Sequence, residues 1–250
     1  MNYYSLISSM LKATVNTLLT GLYAVYKAES NANDSLGIYN GTAQGGLTYT
    51  AGKSGNAFLF NGTSAYLSLP DNAFQFPSSN FTISIWIYPT SGSPQVIFNN
   101  YAYSAGSINK GWQLAINNIT GGQSGKITFS IPISLTNSTD WQFTTTALTN
   151  NAWNNIILTR VSSVNTYCWV NGISQSYTLS GTGANITTNP TYHTTQYNTI
   201  GASKQLSGVV GAYMLNGSKI DEVYIYNRQL TTQEIIDIYN TGTGKFYPTF

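Results

Sequence analysis

Eight carboxylates make up the whole acid inventory of this 250-residue chain: Glu29, Asp34, Asp71, Asp140, Asp221, Glu222, Glu234 and Asp237. Glycosidic hydrolysis needs two of them roughly 5 to 9 Å apart, one to protonate the leaving oxygen and one to attack or to activate water. Two acids share the face of one strand only at alternate positions, and no pair in this chain has that spacing on a predicted strand. Asp221 and Glu222 are adjacent, so regular pleating sends them to opposite faces. Glu234 and Asp237 fall on a predicted helix, where a capping role is sufficient for Glu234. Hydrolysis would therefore need two acids converging from different strands.

The other reactive side chains are sparse as well. His193 is the single histidine and sits in a Thr/Asn-rich loop, too isolated for a triad or a zinc centre. Cys168 is the single cysteine, in the run Tyr167-Cys168-Trp169-Val170. It reads as an inert core thiol, and it leaves no intramolecular disulfide. Gly121-Gly122 and Gly181-Thr182-Gly183 lack both the lysine and the strand-to-helix context of a phosphate loop.

The remaining chemistry is recognition. Sugars lay their apolar faces on aromatic rings and satisfy their hydroxyls with amide and carboxylate side chains. Three predicted loops carry both kinds of group: 99–112 with Asn99, Asn100, Tyr101, Tyr103 and Trp112, 137–143 with Asn137, Asp140 and Trp141, and 189–198 with Asn189, Tyr192, His193, Gln196 and Tyr197. Tyr101, Tyr103, Trp112, Asp140, Trp141, Tyr192 and Tyr197 are the expected ligand-binding residues. The competing reading is that these rings only pack on strands or on a neighbouring subunit.

The elements that would position these groups are mostly strands. Leu22–Lys27, Phe81–Tyr88, Gly111–Ile116, Lys126–Ile131, Trp153–Arg160, Thr166–Val170, Asn198–Ala202 and Ile220–Tyr226 are rich in β-branched and aromatic residues and are separated by Gly and Asn, as in a sandwich or jelly roll. Asn61-Gly62 and Asn171-Gly172 each lie between apolar runs and predict tight hairpins. Thr231 and Glu234 have capping-box spacing, with Leu230 and Ile235 placed for a hydrophobic staple, so a short helix follows the last strand. Residues 3–19 carry helical periodicity through Tyr4, Ile7, Leu11, Val15 and Leu18. That segment is either a helix packed on the domain edge or an assembly helix.

Several of these segments together resemble the laminin-G-like, concanavalin A-like lectin/glucanase superfamily, in its bacterial and phage form. Gly217-Ser-Lys-Ile-Asp-Glu-Val-Tyr-Ile-Tyr-Asn-Arg-Gln-Leu230 is similar to the family's last strand, and Gly21-Leu-Tyr-Ala-Val-Tyr26 followed by Asn40-Gly-Thr42 to its first strand and loop. Gly55–Pro70 resembles its Phe-Asp-Gly-Thr hairpin, with Asn61 where many relatives carry Asp. Phe81–Pro89, the Trp153–Arg160 run, the Val170-Asn171-Gly172 turn and Asn198–Ala202 follow in the family's order. The resemblance spans about residues 20–240. It implies an all-β, two-sheet antiparallel jelly roll, with one structural calcium ion held by Glu29, a carbonyl near Gly55 and Asp221. The alternative for those residues is that Asp221 caps a turn and Glu29 pairs with a lysine.

Composition bounds the rest. Only 7% of residues are charged, against about 25% in ordinary chains, while the aromatic fraction of 14% is that of a folded protein. A net charge of +2 is too small and scattered for a nucleic-acid partner. No apolar run reaches membrane-span length, and residues 1–20 lack the pattern of a secretory signal. The expected organisation is a helical leader over 1–19, one jelly-roll domain over 20–241 and a docking aromatic tail over 242–250. The expected function is a non-enzymatic carbohydrate-binding or adhesion module on a virion surface, as a phage capsid decoration, head fibre or tail fibre. Its partners would be glycans or cell-surface polysaccharide, with a homo-oligomer or virion assembly joined through the N-terminal helix. The alternatives are a secreted or cell-surface bacterial lectin-like module, a purely structural virion protein and a divergent glycoside hydrolase.

Overall fold

The computed structural model describes residues 16–71, 73–76, 80–90, 95–100, 111–116, 126–132, 138–143, 148–161, 165–180, 198–204 and 210–250. Among the described residues the strands begin with β1 (Leu22–Tyr26), β2 (Thr42–Gln44), β3 (Thr48–Ala51), β4 (Asn56–Leu59), β5 (Tyr66–Leu69) and β6 (Phe81–Tyr88). It continues with β7 (Gln95–Asn99), β8 (Gln113–Ile116), β9 (Ile127–Pro132), β10 (Ser138–Phe143), β11 (Asn154–Val161) and β12 (Asn165–Val170). Then come β13 (Ile173–Gln175), β14 (Tyr177–Ser180), β15 (Asn198–Ile200), β16 (Ser203–Lys204), β17 (Val210–Gly211), β18 (Lys219–Tyr226) and the helix α1 (Thr232–Tyr239).

Two antiparallel sheets form the sandwich. The first runs β13-β12-β11-β6-β18-β4-β3, and β1 also pairs with β18. The second runs β14-β10-β9-β8-β7-β15-β5-β2. This is the jelly roll the sequence predicts, and the strands of Phe81–Tyr88, Asn154–Val161 and Lys219–Tyr226 lie where their composition placed them. Strand β6 shows the cause. Phe81, Ile83, Ile85 and Ile87 alternate onto the inner face and join the main core, with Phe98, Trp112 and Phe129 from the second sheet. The opposite face of β6 is also covered: Trp86 is buried and stacks on Tyr239 of α1 with ring centroids 6.2 Å apart.

That outer face carries a second apolar cluster of Leu18, Val25, Ile157, Tyr224, Tyr226, Leu230, Ile235 and Ile238. Helix α1 is locked onto it by the predicted cap, since Thr231 Oγ1 accepts from Glu234 N and a Glu234 carboxylate oxygen accepts from Thr231 N. Leu230 and Ile235 are both buried across that cap, as a staple requires. The tail docks on its own domain: Tyr247 and Phe250 pack against the second cluster, and Tyr247 N donates to Tyr224 Oη at 3.1 Å. Of the expected leader, residues 1–15 lie outside the described residues, and Thr17–Leu19 forms a 3-10 turn with Leu18 buried.

Two expectations are corrected. Asn61-Gly62 is not a hairpin turn: β4 pairs with β3 and β18 in the first sheet, whereas β5 pairs with β2 and β15 in the second. The connection crosses between the sheets, and Asn61 Oδ1 shapes it by accepting from the N–H groups of Thr63, Ser64 and Ala65. Both flanking segments are strands, as their alternation predicts, but alternation does not say which sheet a strand joins. In contrast, Asn171-Gly172 does turn β12 back onto β13. The second correction is 137–143, expected as a loop: Ser138–Phe143 is a strand paired with β9 and β14.

Candidate functional site

The turn joining β3 to β4 is closed by Gly52 N donating to the Gly55 carbonyl at 2.9 Å. Asp221, on β18, fills its mouth. Asp221 Oδ2 accepts from Lys53 N at 2.8 Å and Ser54 N at 3.0 Å, and Oδ1 accepts from Glu222 N at 2.8 Å. Glu29, three residues beyond β1, accepts from Asn56 N at 3.2 Å. Gly55 has φ +62, and a Cβ there would sit 2.1 Å from Glu29 Oε1, so the carboxylate lies flat against the glycine. Glu29, Gly55 and Asp221 are thus gathered around one turn.

Glu222 joins them against expectation. Ile220 and Val223 both point into the main core, leaving two consecutive residues on the outer side. A bulge between Asp221 and Tyr224 produces this, with Glu222 at φ +48, an unusual conformation for a residue other than Gly or Asn. The two acids therefore share a face. Glu222 Oε2 accepts from the Tyr224 hydroxyl, and Oε1 has no hydrogen-bond partner among the described residues. Both carboxylates are fully buried.

Burial raises the proton affinity of both. The Asp221 carboxyl is pushed up to about 7 by desolvation, against the three backbone N–H bonds, with Glu29 adding to the rise. The Glu222 carboxyl is pushed up to about 8 by desolvation, opposed by Tyr224 and Lys27 and assisted by Asp221 and Glu29. A buried carboxylate oxygen without a donor, beside two further acids, is a place where a divalent cation fits chemically. Among the described residues, however, no three His, Cys, Asp or Glu side chains converge tightly enough to hold a metal alone. Backbone carbonyls such as that of Gly55, which keeps a second lone pair, would have to complete the shell.

Of the expected ligand-binding residues, the described part of the chain places the side chain of Trp112 alone. Trp112 is fully buried, stacked on Phe98 and Phe81 with centroids 4.9 and 5.3 Å away. It is a core residue out of reach of any ligand, because Gln113–Ile116 begins directly after it and carries it into the sandwich. Asp140 and Trp141 belong to β10, where their backbones pair with Ser130 and Phe129. Tyr101, Tyr103, Tyr192 and Tyr197 lie outside the described residues, as does His193. Cys168 is buried, and its thiol is pushed up by desolvation, as an inert core cysteine should be.

A different aromatic surface is present. A groove of about 570 Å³ is lined by Val161, Tyr167, Trp169, Gln229, Leu230, Thr231 and Thr232. The alternation Tyr167-Cys168-Trp169-Val170 was legible as a strand, and with Cys168 assigned to the core it already placed both rings on the outside.

Comparison with known proteins follows the same lines. Residues 61–236 match the family model of the concanavalin A-like lectin/glucanases superfamily. No curated protein sequence matches the chain. Among solved structures, 90% of this chain superposes on 98% of domain 4 of AbnA, an extracellular GH43 arabinanase from Geobacillus stearothermophilus solved with arabinotriose, with TM-score 0.63 and 18% identity. The binding domain of Paraclostridial Mosquitocidal Protein 1 superposes with TM-score 0.65 and 17% identity over 90% of this chain and 53% of that one. The botulinum neurotoxin type C structure, whose cell entry depends on two ganglioside molecules, gives TM-score 0.64 and 13% identity over 92% and 53%. The chain spans only about half the length of these two toxin structures, and at such identities the likeness is one of fold.

Proposed function

This chain belongs to the concanavalin A-like lectin/glucanases superfamily, and we propose that it is a non-enzymatic carbohydrate-binding or adhesion module. The observation that carries this reading is the fate of its acids. Among the described residues Glu29 gathers with Asp221 and Glu222, but Asp221 and Glu222 are fully buried, and Asp221 is committed to three backbone N–H groups. Hydrolysis needs two carboxyls flanking a bound sugar in an open site. The superposition on nearly the whole of an arabinanase domain solved with arabinotriose supports a saccharide as the ligand class.

The same cluster supports one structural calcium ion. Glu29, Asp221 and the orphaned Glu222 oxygen would hold it with carbonyls of the Gly52–Gly55 turn. A bound ion would neutralise buried charge and pin β18 to the β3–β4 turn. Display on a virion surface is supported by the low-charge, Asn-, Ser- and Thr-rich composition. An extracellular bacterial module is the second reading, favoured by the domain-scale likeness to part of an extracellular enzyme. Binding to a glycan array with no release of reducing sugar from the same polysaccharides tests the function. Sugar release, or silence across the array, overturns it.

A further inference from the structure

We propose that the groove between the outer face of β12 and the turn entering α1 is a binding site for neutral saccharides. The inference rests on the carbohydrate-binding reading above and gives it a location outside the three Asn- and Tyr-rich loops.

Strand β12 alternates cleanly. Cys168 and Val170 enter the main core, so Tyr167 and Trp169 stand side by side on the outer face, with ring centroids 6.2 Å apart and planes inclined by 46°. Tyr167 is 40% exposed. The reason is its place in the sheet: the pairing with β13 covers only Cys168–Val170, while on the other side Tyr167 faces Thr159 of β11. Trp169 is half-buried because one side of its ring packs against the second apolar cluster. That packing fixes one ring and leaves the other at the edge, a two-ring platform on a rigid strand.

The opposite wall supplies polar groups at the right height. Gln229, Thr231 and Thr232 are all exposed. Thr231 is spent on the helix cap, which leaves the Gln229 amide and the Thr232 hydroxyl to meet sugar hydroxyls as donors and acceptors. Leu230 closes the floor as a buried residue. The volume of about 570 Å³ lies within the usual range of ligand sites.

Charge selects the class of sugar. No lining residue is an acid or a base. The nearest ion pair, Arg228 with Glu234, is closed on itself at 2.7 Å, and Arg228 donates further to the carbonyls of Thr17, Thr20 and Gln229. A uronate or sialate would find no counter-charge, whereas a neutral pyranose or furanose needs only ring faces and hydroxyl partners.

The test uses the full chain and a panel of neutral arabino-, xylo-, gluco- and manno-oligosaccharides, with oligogalacturonide as the acidic probe. The expected result is binding to at least one neutral oligosaccharide, reported by a change in tryptophan emission. Tyr167→Ala should weaken it about tenfold or more with the melting temperature unchanged. Gln229→Ala should weaken it by a smaller factor, and Trp169→Phe should keep the fold and remove the emission change. If the wild type binds a neutral sugar and Tyr167→Ala and Gln229→Ala bind as the wild type does, the site lies elsewhere and the proposed function stands without this location. Tighter binding of oligogalacturonide overturns the neutral assignment. A wild type that binds nothing on the panel or on the glycan array overturns the proposed function, and this inference falls with it.

Discussion

Asp221 and Glu222 are consecutive in the chain and yet project from the same side of their strand. The bulge that turns Glu222 to φ +48 does this. It converts a pair that regular pleating would have separated into a buried, mutually repelling diad beside Glu29.

Burial of the pair, with the neighbouring acids adding to it, sets a pH dependence for the cation-free protein. Both folded-state carboxyls titrate above their ordinary values, near 7 and 8 from 3.8 and 4.5. Groups raised in this way contribute stability that is complete below about pH 4 and is lost as pH rises through 7 to 8. In chelator the melting temperature should fall between pH 5 and pH 8.5. A flat profile over that range would contradict the buried-diad picture.

Calcium should reverse this loss, because it binds the deprotonated acids. At pH 8, free calcium at a hundred times its dissociation constant should add about 2.7 kcal/mol, and the gain should shrink toward pH 5. Identical melting in calcium and in chelator at pH 8 rules the ion out.

Gly55→Ala separates the ion from the turn. Its Cβ would collide with the end of the Glu29 side chain, which can swing aside, so the cation-free protein should lose only about 1 kcal/mol from the left-handed backbone. The calcium response should drop sharply. Asp221→Ala differs in kind: it strands three N–H donors and should cost about 3 kcal/mol or more with or without calcium. Denaturant titration of both variants tells the two roles apart.

The closing helix makes the opposite pH prediction. Glu234 is buried, which disfavours its charge, but Arg228 and the Thr231 N–H outweigh this and bring its carboxyl down to about 2. A depressed acid contributes stability above about pH 4.5 that is lost as pH falls toward 2. Glu234→Gln should flatten acid unfolding in that window. Thr231→Ala should cost about 1 kcal/mol at neutral pH.

Trp112→Ala should behave as a core truncation. Its ring is enclosed by Phe81, Phe98 and Phe129, so the expected loss is about 3 to 5 kcal/mol, visible in denaturant titration without any sugar. A variant of wild-type stability with lost glycan binding would restore Trp112 to a ligand site.

What the sequence determined by itself was local. Alternation in Phe81–Tyr88, capping chemistry at Thr231 and Glu234 and the Asn171-Gly172 turn are nearest-neighbour effects, and each is realised as read. The gathering of Glu29, Gly55 and Asp221 followed from a resemblance between ordered motifs, which carries spatial information that spacing alone does not. Tertiary structure decided the rest. Whether Asn61-Gly62 turned back or crossed over depended on which sheet had an open edge for β5. Whether Trp112 faced solvent depended on the first sheet folding over it. Whether two adjacent acids met or parted depended on one extra residue in a ladder whose partner strand lies more than 130 positions away. Register and sheet membership are settled by distant pairing energies, and a local pattern is equally compatible with either outcome.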